Sequence, residues 1–276
     1  MTSKPPKLGK REIKAFQAQI WAFYAHSGRK LPWRNTKNPY KILVSEIMLQ
    51  QTQVSRVLEK YPEFLKIFPD VDALAKAPLS LVLHTWQGMG YNRRAKYLHD
   101  TAQSIINEHG GHIPKTVSLL LKLPGIGNYT ARAVVTFAYN KAEIFIETNI
   151  RRVYIHHFFG KKEDVTDKEI LLLIQQTIDA DNPREWYYAL MDYGSFLPKA
   201  KHNNANLQSK HYTKQSTFKG SLRELRGVII RTLDKSPSTL RAIKSVCKNN
   251  PRTQEAIARL LKEKLIQYEN GKYRLA

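Results

Sequence analysis

The chain has 276 residues, which is enough to bury a full hydrophobic core in one or two domains. Lysine and arginine total 45 against 23 acidic residues, and the resulting net charge of +22 favours a polyanionic partner, with an anionic membrane surface as the alternative. No apolar stretch is long enough to span a membrane and no signal peptide is recognisable, so we expect a cytoplasmic protein without a membrane partner. The single cysteine, Cys247, excludes a disulfide framework and an iron–sulfur centre held by one chain. The histidines show no metal-ligand spacing, so no metal site is expected.

The N-terminal part is predicted to be a basic disordered tail over residues 1–10, followed by an amphipathic helix that ends near Ser27. The loop after this helix, residues 29–34, combines cations with the aromatic side chain of Trp33. Such a loop suits nucleic acid, because cations meet phosphates and aromatic rings stack on bases. A tryptophan that anchors the loop to the core is the alternative.

The Asn-Pro pair at position 38 predicts the start of a helix that runs from Tyr40 to Glu59. Glu46 lies among apolar residues of this helix. A carboxyl group in such a place loses hydration, which raises its pKa and makes it a proton donor near neutral pH. A glutamate that reaches solvent or pairs with a cation is the alternative. The polar residues 50–53 have no role in a core, and glutamine side chains can occupy space that a base has vacated.

Two glycine-rich loops follow. Residues 88–91 read Gly-Met-Gly-Tyr and precede Arg93 and Arg94, so an aromatic ring beside phosphate-binding cations could insert between base steps. Residues 123–127 read Leu-Pro-Gly-Ile-Gly, where the glycines let the backbone approach a ligand and the N–H groups of the next helix attract an anion. An ordinary helix-turn-helix corner is the alternative for this second loop. Beyond it, the single acid Glu147 interrupts an apolar segment.

The C-terminal part restarts the helical pattern after a polar stretch. Residues 199–219 are rich in lysine, asparagine and serine, which predicts a basic linker. Residues 220–276 then show three short amphipathic helices and an alternating segment around Asn270 and Gly271, the sequence signal of a β-hairpin. Three helices followed by a hairpin predict a small winged-helix-like domain.

Five segments carry a resemblance when they are taken in order. They are Leu-Pro-Trp-Arg at 31–34, Ser-Glu-Ile-Met-Leu-Gln-Gln-Thr-Gln at 45–53, Gly-Met-Gly-Tyr at 88–91, Leu-Pro-Gly-Ile-Gly at 123–127 and Asn-Ile-Arg-Arg-Val at 149–153. In this order they resemble the helix-hairpin-helix (HhH-GPD) base-excision glycosylases, specifically adenine DNA glycosylases of the MutY type, over about residues 12–197. The resemblance implies an all-α, two-lobed fold over residues 11–198, with a six-helix lobe at about 29–146 and a second lobe from 11–28 plus 147–198.

The resemblance implies an enzyme that binds duplex DNA, flips a mispaired nucleotide into a cleft and hydrolyses its N-glycosidic bond; we expect a monomer. In this interpretation Glu46 protonates the departing adenine, and Glu147 stays ionised to stabilise the oxocarbenium-like sugar. Gln51 would fill the vacated space, and Tyr91 would intercalate near the mispair. The N–H groups of the 123–127 loop would hold a backbone phosphate. The further residues expected at the DNA or the lesion pocket are Arg29, Leu31, Trp33, Arg34, Leu49, Gln50, Val54, Arg93, Gly125, Gly127 and Asp192.

The chain departs from the family pattern in four places. Glu147 stands where the family carries an aspartate, which leaves open a repositioned backbone, a moved water or weakened catalysis. Tyr129, a further catalytic position, stands where strand-cleaving relatives such as endonuclease III carry lysine; a phenol forms no Schiff base, so base removal without strand cleavage is expected. The cysteines that many relatives place after residue 196 are absent, so no iron–sulfur cluster is expected. The short 220–276 segment replaces the family's C-terminal domain, which recognises 8-oxoguanine.

The predicted activity is therefore removal of adenine opposite 8-oxoguanine or guanine, in the cytoplasm at the nucleoid. A thymine or uracil glycosylase acting on mispairs with guanine is an alternative, because relatives with tyrosine at position 129 act on these bases. Glu46 and the glutamines at 50 and 51 favour adenine, since a pyrimidine leaves as an anion and needs no such acid. A non-catalytic DNA-binding protein is the third hypothesis, and Glu147 is the feature that would support it.

Overall fold

A computed structural model describes residues 7–201, 204–213 and 217–276. Residues 1–6 of the predicted N-terminal tail lie outside the described residues, and the first helix already begins at Lys10. The regular secondary structure of the described residues is helical, as predicted, apart from one two-stranded antiparallel sheet. None of the helices in these ranges is both long and apolar enough to cross a membrane.

The helices and strands follow one another with short connections. In chain order they are α1 (Lys10–Ser27), α2 (Pro39–Leu49), α3 (Val54–Ile67), α4 (Val71–Lys76), α5 (Leu79–Thr85), α6 (Arg93–His109), α7 (Val117–Leu120), α8 (Asn128–Tyr139), α9 (Thr148–Phe158), α10 (Asp167–Thr177), α11 (Pro183–Lys201), α12 (Leu222–Lys235), α13 (Leu240–Val246), α14 (Thr253–Lys262), β1 (Ile266–Glu269) and β2 (Lys272–Leu275). Two short 3₁₀ helices lie at Pro32–Arg34 and Ala205–Gln208.

The first of two compact units comprises the described residues of Met1–Ile42, Lys115–Leu121 and Gly127–Lys214. Its core is aromatic. The ring of Phe16 on α1 meets Tyr154 on α9 and Trp186 on α11 at centroid distances of 5.5 and 5.9 Å. Helix α8 joins this unit because Phe137 stacks on Tyr188 of α11 at 4.7 Å. Such rings bury large apolar areas, so α1, α8, α9 and α11 form one core.

Helices α9 and α11 approach each other closely at Gly194. A Cβ atom at this position would lie 2.2 Å from the carbonyl oxygen of Asn149, so no larger residue fits without a shift of the backbone. The contact brings the middle of α11 against the first turn of α9. This close approach therefore fixes the start of α9, where the predicted acid Glu147 lies.

The second unit comprises the described residues of Leu43–Pro114, Lys122–Ile126 and Gln215–Ala276. Helix α6 packs against α4 and α5 in this unit, and the C-terminal helices and hairpin belong to it as well. The predicted hairpin is confirmed: Tyr268 pairs with Tyr273 across the turn, and Asn270 and Gly271 both have positive φ angles, 50° and 75°. The three predicted C-terminal helices are confirmed as α12, α13 and α14.

The units divide the chain at other residues than the predicted lobes, whose bounds were about 29 and 146. The boundary falls inside α2, after Ile42, and α8 is grouped with the first unit. The stacking of α8 on α11 explains the second difference, since this contact joins helices that are far apart in the sequence.

The predicted helix from Tyr40 to Glu59 is wrong. Asn38 does cap α2 as predicted, because its Oδ1 accepts the N–H groups of Tyr40 and Lys41 at 2.9 and 3.2 Å. Helix α2, however, ends at Leu49, and α3 begins at Val54. The guanidinium of Arg94 donates to carbonyl oxygens in the last turn of α2, which satisfies groups that a continuing helix would have bonded.

The predicted linker over residues 199–219 is only partly a linker. Residues 202–203 and 214–216 lie outside the described residues, but 204–213 fold onto the first unit. Asn206 is buried and its amide donates to the carbonyl of Thr148 at 3.0 Å. Val165 exchanges backbone hydrogen bonds with Gln208 and Lys210 at 2.9 and 3.0 Å. The polar side chains that predicted a linker here make hydrogen bonds instead.

Candidate functional site

Glu147 is the N-cap of α9. Its Oε1 accepts the backbone N–H groups of Asn149 and Ile150 at 2.8 and 2.9 Å, which are among the N–H groups without a partner inside the helix. Burial raises the pKa of Glu147 above its ordinary value, while these two N–H groups and the charges of Arg152 and Arg151 act in the opposite direction. The longer side chain of glutamate therefore still places a carboxylate on the first turn of α9.

Two neighbours of Glu147 were missed by the sequence reasoning. The amide of Asn149 donates to Glu147 Oε2 at 3.2 Å, and its Oδ1 accepts from Arg152 Nη1 at 2.9 Å. Arg152 Nη1 also donates to the carbonyl of Gly194 at 2.6 Å. The chain of contacts from Glu147 through Asn149 and Arg152 to Gly194 ties the acid to α11. The i, i+3 spacing of Asn149 and Arg152 on a helix was the available signal.

Glu46 lies on α2 and belongs to the second unit. It is 5 % exposed, and the apolar neighbours Leu43 and Ile47 are equally buried. The expectation that this acid lies on a buried stripe is therefore confirmed, and its burial disagrees with a side chain that reaches solvent. The alternative that Glu46 pairs with a cation is not decided by this burial. Whether it donates a proton stays a prediction.

The turn between α2 and α3 presents the predicted space-filling residues. Gln51 is exposed and has a φ of +54°, in the left-handed region that non-glycine residues seldom occupy. The hydroxyl of Thr52 in the same turn accepts a hydrogen bond from Arg94 Nη2 at 3.0 Å. Gln50, Leu49 and the first residue of α3, Val54, are partly exposed. The turn is thus held by the side chain of Arg94, which lies about forty residues later in the chain.

Arg94 links this turn to the 88–91 loop. Its guanidinium is buried and donates to the carbonyl oxygens of Ile47 and Met48 at 2.7 and 3.0 Å, and to those of Met89 and Gly90 at 3.1 Å each. Burial lowers the pKa of Arg94 to about 10, so the group stays charged at neutral pH. The sequence suggested a phosphate-binding cation, but Arg94 is committed to protein carbonyls.

Tyr91 ends the 88–91 loop with a φ of +48°. The guanidinium groups of Arg94 and Arg223 lie 5.6 and 5.4 Å from its ring centroid, and Arg223 Nη1 donates to the phenolic oxygen at 2.7 Å. Arg93 is 54 % exposed and lies 3.8 Å from Glu263. The sequence reasoning placed Tyr91 and Arg93 on this surface but missed Arg223, which comes from α12.

The 123–127 loop needs glycine at its centre. Gly125 has a φ of +73°, and a Cβ there would lie 2.5 Å from the Cβ of Tyr97. The Thr101 hydroxyl donates to the carbonyl of Pro124 at 2.6 Å, which fixes the preceding residue. Gly127 is exposed and is the N-cap of α8. Exposed glycines before a helix N-terminus are compatible with binding an anion.

Asp192 on α11 is bound by two arginines. Arg29 Nε and N–H donate to its two oxygens at 2.6 and 2.7 Å, and Arg34 donates to them with both Nη atoms at 2.7 and 2.8 Å. Burial raises the pKa of Asp192, but the hydrogen bonds and charges of Arg34 and Arg29 outweigh it and leave the pKa below its ordinary value. The Arg34 guanidinium also lies 4.5 Å from the ring centroid of Tyr188. These contacts give Arg29, Arg34 and Asp192 a packing role within the first unit.

The remaining predicted site residues differ in how far their side chains are buried. Leu31 and Trp33 are buried, which agrees with the alternative that Trp33 anchors its loop to the core. Tyr129, in the first turn of α8, is partly buried and its ring packs edge-on against Phe145 at 5.7 Å. Within the described ranges no group of three or more histidine, cysteine or acidic side chains is suited to hold a metal ion.

Comparisons with known proteins agree on the family. Residues 44–178 match the family described as "HhH-GPD superfamily base excision DNA repair protein". The chain is 38% identical over 187 residues to the adenine DNA glycosylase of Buchnera aphidicola, covering 66% of this chain and 52% of that protein. It is 30% identical over 215 residues to the thymine/uracil-DNA glycosylase of Methanothermobacter thermautotrophicus, covering 75% of this chain and 97% of that protein.

A solved structure is similar over about two thirds of the chain. The structure of a thermostable thymine-DNA glycosylase superposes with a TM-score of 0.60 at 28% identity, over 67% of this chain and 87% of that one. The chain spans only about half the length of the Buchnera relative. The family match at residues 44–178 ends before the C-terminal helices and hairpin.

Proposed function

Because the chain belongs to the HhH-GPD superfamily of base excision DNA repair proteins, we propose that it is a monofunctional adenine DNA glycosylase. It would remove adenine opposite guanine or 8-oxoguanine from duplex DNA. The observation that carries the proposal is the contrast between two acids: Glu46 is buried among apolar residues, and Glu147 is held by backbone N–H groups.

The two acids suit the two halves of the reaction. Adenine leaves only after a ring nitrogen is protonated, and a carboxyl group without hydration favours the neutral form that can donate this proton. Glu46 is assigned this role. The sugar then carries positive charge, which a carboxylate stabilises, and Glu147 is assigned that role. The C1′–N9 bond thus breaks as the protonated adenine leaves. Water then adds to C1′, which forms the C–O bond, and gives up a proton to solvent.

Exposed residues support DNA as the partner. The net charge of +22 favours a polyanion, and the exposed glycines at 125 and 127 would let a backbone phosphate approach their N–H groups. Tyr91 would intercalate near the mispair, and Gln51, exposed at its turn, would occupy the vacated position. Extrusion costs least for a mispaired base, which favours mispairs as substrates.

The proposal includes base removal without strand cleavage, a monomeric enzyme at the nucleoid and no iron–sulfur cluster. Tyr129 offers a phenol where a Schiff base would need an amine. The chain has one cysteine, Cys247, and four thiolates are needed to ligate such a cluster. Hydrogen bonds of residues 204–213 to the first unit hold the segment that cysteine ligation would otherwise organise.

A thymine or uracil glycosylase is the second candidate. It is favoured by the similarity to the thymine/uracil-DNA glycosylase, nearly all of which the chain covers. Glu46 argues for adenine, because a pyrimidine leaves as an anion without protonation. A non-catalytic DNA-binding protein is the third candidate and predicts binding without cleavage.

A single-turnover assay with labelled duplexes tests the three candidates together. The duplexes carry A opposite 8-oxoguanine, A opposite G, T opposite G and U opposite G, and strands are cut with alkali after the reaction. We expect cleavage at the two adenine mispairs and none before alkali. Cleavage of only T:G and U:G would establish the second candidate, and binding without any cleavage would establish the third.

A further inference from the structure

The C-terminal segment contacts the chain before, within and after the 88–91 loop. Asp234 on α12 lies 2.8 Å from Nδ1 of His84, at the end of α5 before the loop. Glu263, just after α14, lies 3.8 Å from Arg93, at the start of α6 after the loop. Between these contacts, Arg223 on the first turn of α12 reaches the loop residue Tyr91.

Arg223 is attached to a well-packed helix. Leu225 and Ile229 are buried on α12, and Arg226 of the same helix forms an ion pair with Glu263, just after α14. Ser221 caps the helix by accepting the N–H of Glu224 at 3.3 Å. The guanidinium of Arg223 therefore projects from a fixed backbone and holds the phenol oxygen of Tyr91 at 2.7 Å.

Tyr91 has an unusual backbone that this contact supports. Its φ of +48° is unfavourable for a side chain with a Cβ, so neighbouring contacts must hold it. Arg94 holds the loop through the carbonyl oxygens of Met89 and Gly90. Arg223 contacts the phenol end of the ring.

We infer that Arg223 is a positioning residue for Tyr91, and that the C-terminal segment thereby sets how tightly the protein engages a mispair. The inference rests on the proposed function, in which Tyr91 intercalates beside the mispair. A ring that is fixed before binding loses less conformational freedom on binding, so affinity rises without a new DNA contact. The hydrogen bond has a charged donor, which makes it stronger than a bond between neutral groups.

A direct contact of Arg223 with a phosphate is the rival explanation. Each phosphate contact steepens the dependence of affinity on salt, by roughly one unit of slope in a log–log plot. A positioning residue acts through Tyr91 and leaves this slope unchanged. The two explanations also predict different affinities for the double variant. If Arg223 acts through Tyr91, changing both residues weakens binding no more than changing one. If the two residues contact DNA independently, the fold-losses in affinity multiply.

The test is a double-mutant cycle on the full chain with Arg223→Ala, Tyr91→Phe and the double variant. Affinity is measured by fluorescence anisotropy for a duplex with 2′-fluoroadenosine opposite 8-oxoguanine, which resists cleavage, at several salt concentrations. We expect each single variant to bind about five- to tenfold more weakly, from loss of one charge-assisted hydrogen bond. The double variant should bind no more weakly than the single ones, with an unchanged salt slope.

Two matched variants complete the experiment. Arg231→Ala removes an exposed arginine from the same helix and should leave both the affinity and its salt slope nearly unchanged. Arg223→Lys keeps a cationic donor and should recover part of the affinity. The maximal single-turnover rate at saturating enzyme should stay within about twofold in Arg223→Ala, because binding rather than chemistry is altered.

Three results would overturn the inference: multiplying effects in the cycle, a shallower salt slope for Arg223→Ala, or tighter binding by that variant. The last would mean that the contact restrains Tyr91 and opposes binding. Thermal unfolding of each variant identifies any variant that has lost its fold. If Arg223→Ala is lost in this way, the affinities of Tyr91→Phe and Arg223→Lys still test the inference. A wild-type chain that cuts no duplex contradicts the proposed function alone, since the affinity measurements need no cleavage.

Discussion

Two acids of the first unit, Asp192 and Glu147, carry the same charge in opposite surroundings. Each oxygen of Asp192 accepts two hydrogen bonds, all from Arg29 and Arg34, and its pKa lies below the ordinary value. Glu147 receives two backbone N–H groups on Oε1 and one amide N–H, from Asn149, on Oε2. Its pKa lies above the ordinary value.

The difference separates a structural acid from a candidate catalytic one. An ionised carboxylate offers about four acceptor positions, and the two arginines fill all of them in Asp192. Its charge is neutralised by two cations, so little remains to stabilise a substrate. Glu147 is held by dipoles rather than by a filled set of ion pairs, and its charge stays available for a developing cation.

The strongest test of this comparison is Glu147→Gln. The amide keeps the shape of the side chain but cannot stabilise a positive sugar, so the single-turnover rate on adenine mispairs should fall by about 100- to 1000-fold. Affinity for the 2′-fluoroadenosine duplex should stay within about threefold, since no phosphate contact is lost.

Glu163→Gln is the matched control, because it makes the same change on an exposed glutamate of the same unit. Its rate should equal that of the wild type. Full activity in Glu147→Gln would remove Glu147 from the mechanism.

The next largest effect is expected for the Asp192→Asn variant, which should lower the stability of the fold. The change leaves Arg29 and the buried Arg34 without a counterion, and breaking a buried pair costs about 3 kcal/mol. The free energy of unfolding in urea should fall by this amount, while the rate measured well below the midpoint stays close to normal. Asp181→Asn, an exposed acid of the same unit, is the control. An unchanged unfolding midpoint in Asp192→Asn would contradict the structural role.

The sequence predicted features that depend on nearby residues. The Asn38 cap, the end of α1 at Ser27 and the terminal hairpin at Asn270 each follow from side chains within a few positions. The buried position of Glu46 followed from the apolar residues around it. Local chemistry decides these features, so one sequence was sufficient.

Features that depend on distant residues were not predictable in this way. The break after Leu49 contains no proline or glycine, and it is stabilised by Arg94. The hydrogen bond between Arg223 and Tyr91 joins residues 132 positions apart. The partners of Asp192 lie on the loop after α1, so its role as an ion-pair centre needed the fold.

As the pH falls, the loss of activity through Glu147 and the loss of stability through Asp192 should occur in a fixed order. Glu147 must be ionised to act, so activity falls as the pH is lowered through its pKa, which lies above the ordinary 4.5. Asp192 has a lowered pKa, so its contribution to stability is complete above the ordinary 3.8 and is lost only as the pH falls through its folded value. Acid inactivation should therefore precede acid unfolding. Single-turnover rates and circular dichroism between about pH 2 and pH 8 follow the loss of activity and the loss of structure. Coincident transitions would contradict the assignment.

The smallest expected effect is on the stability of Glu147→Gln. A carboxyl whose pKa is raised in the folded state favours its protonated form there, so its contribution is complete at low pH and is lost as the pH rises through the folded value. A glutamine can still accept the N–H groups of Asn149 and Ile150 without a charge to desolvate. The variant should therefore be as stable as the wild type at neutral pH, or more stable by less than about 1 kcal/mol. In urea unfolding, the difference in the free energy of unfolding between Glu147→Gln and the wild type should shrink as the pH is lowered. For Asp192→Asn, the loss of free energy of unfolding should be largest at neutral pH.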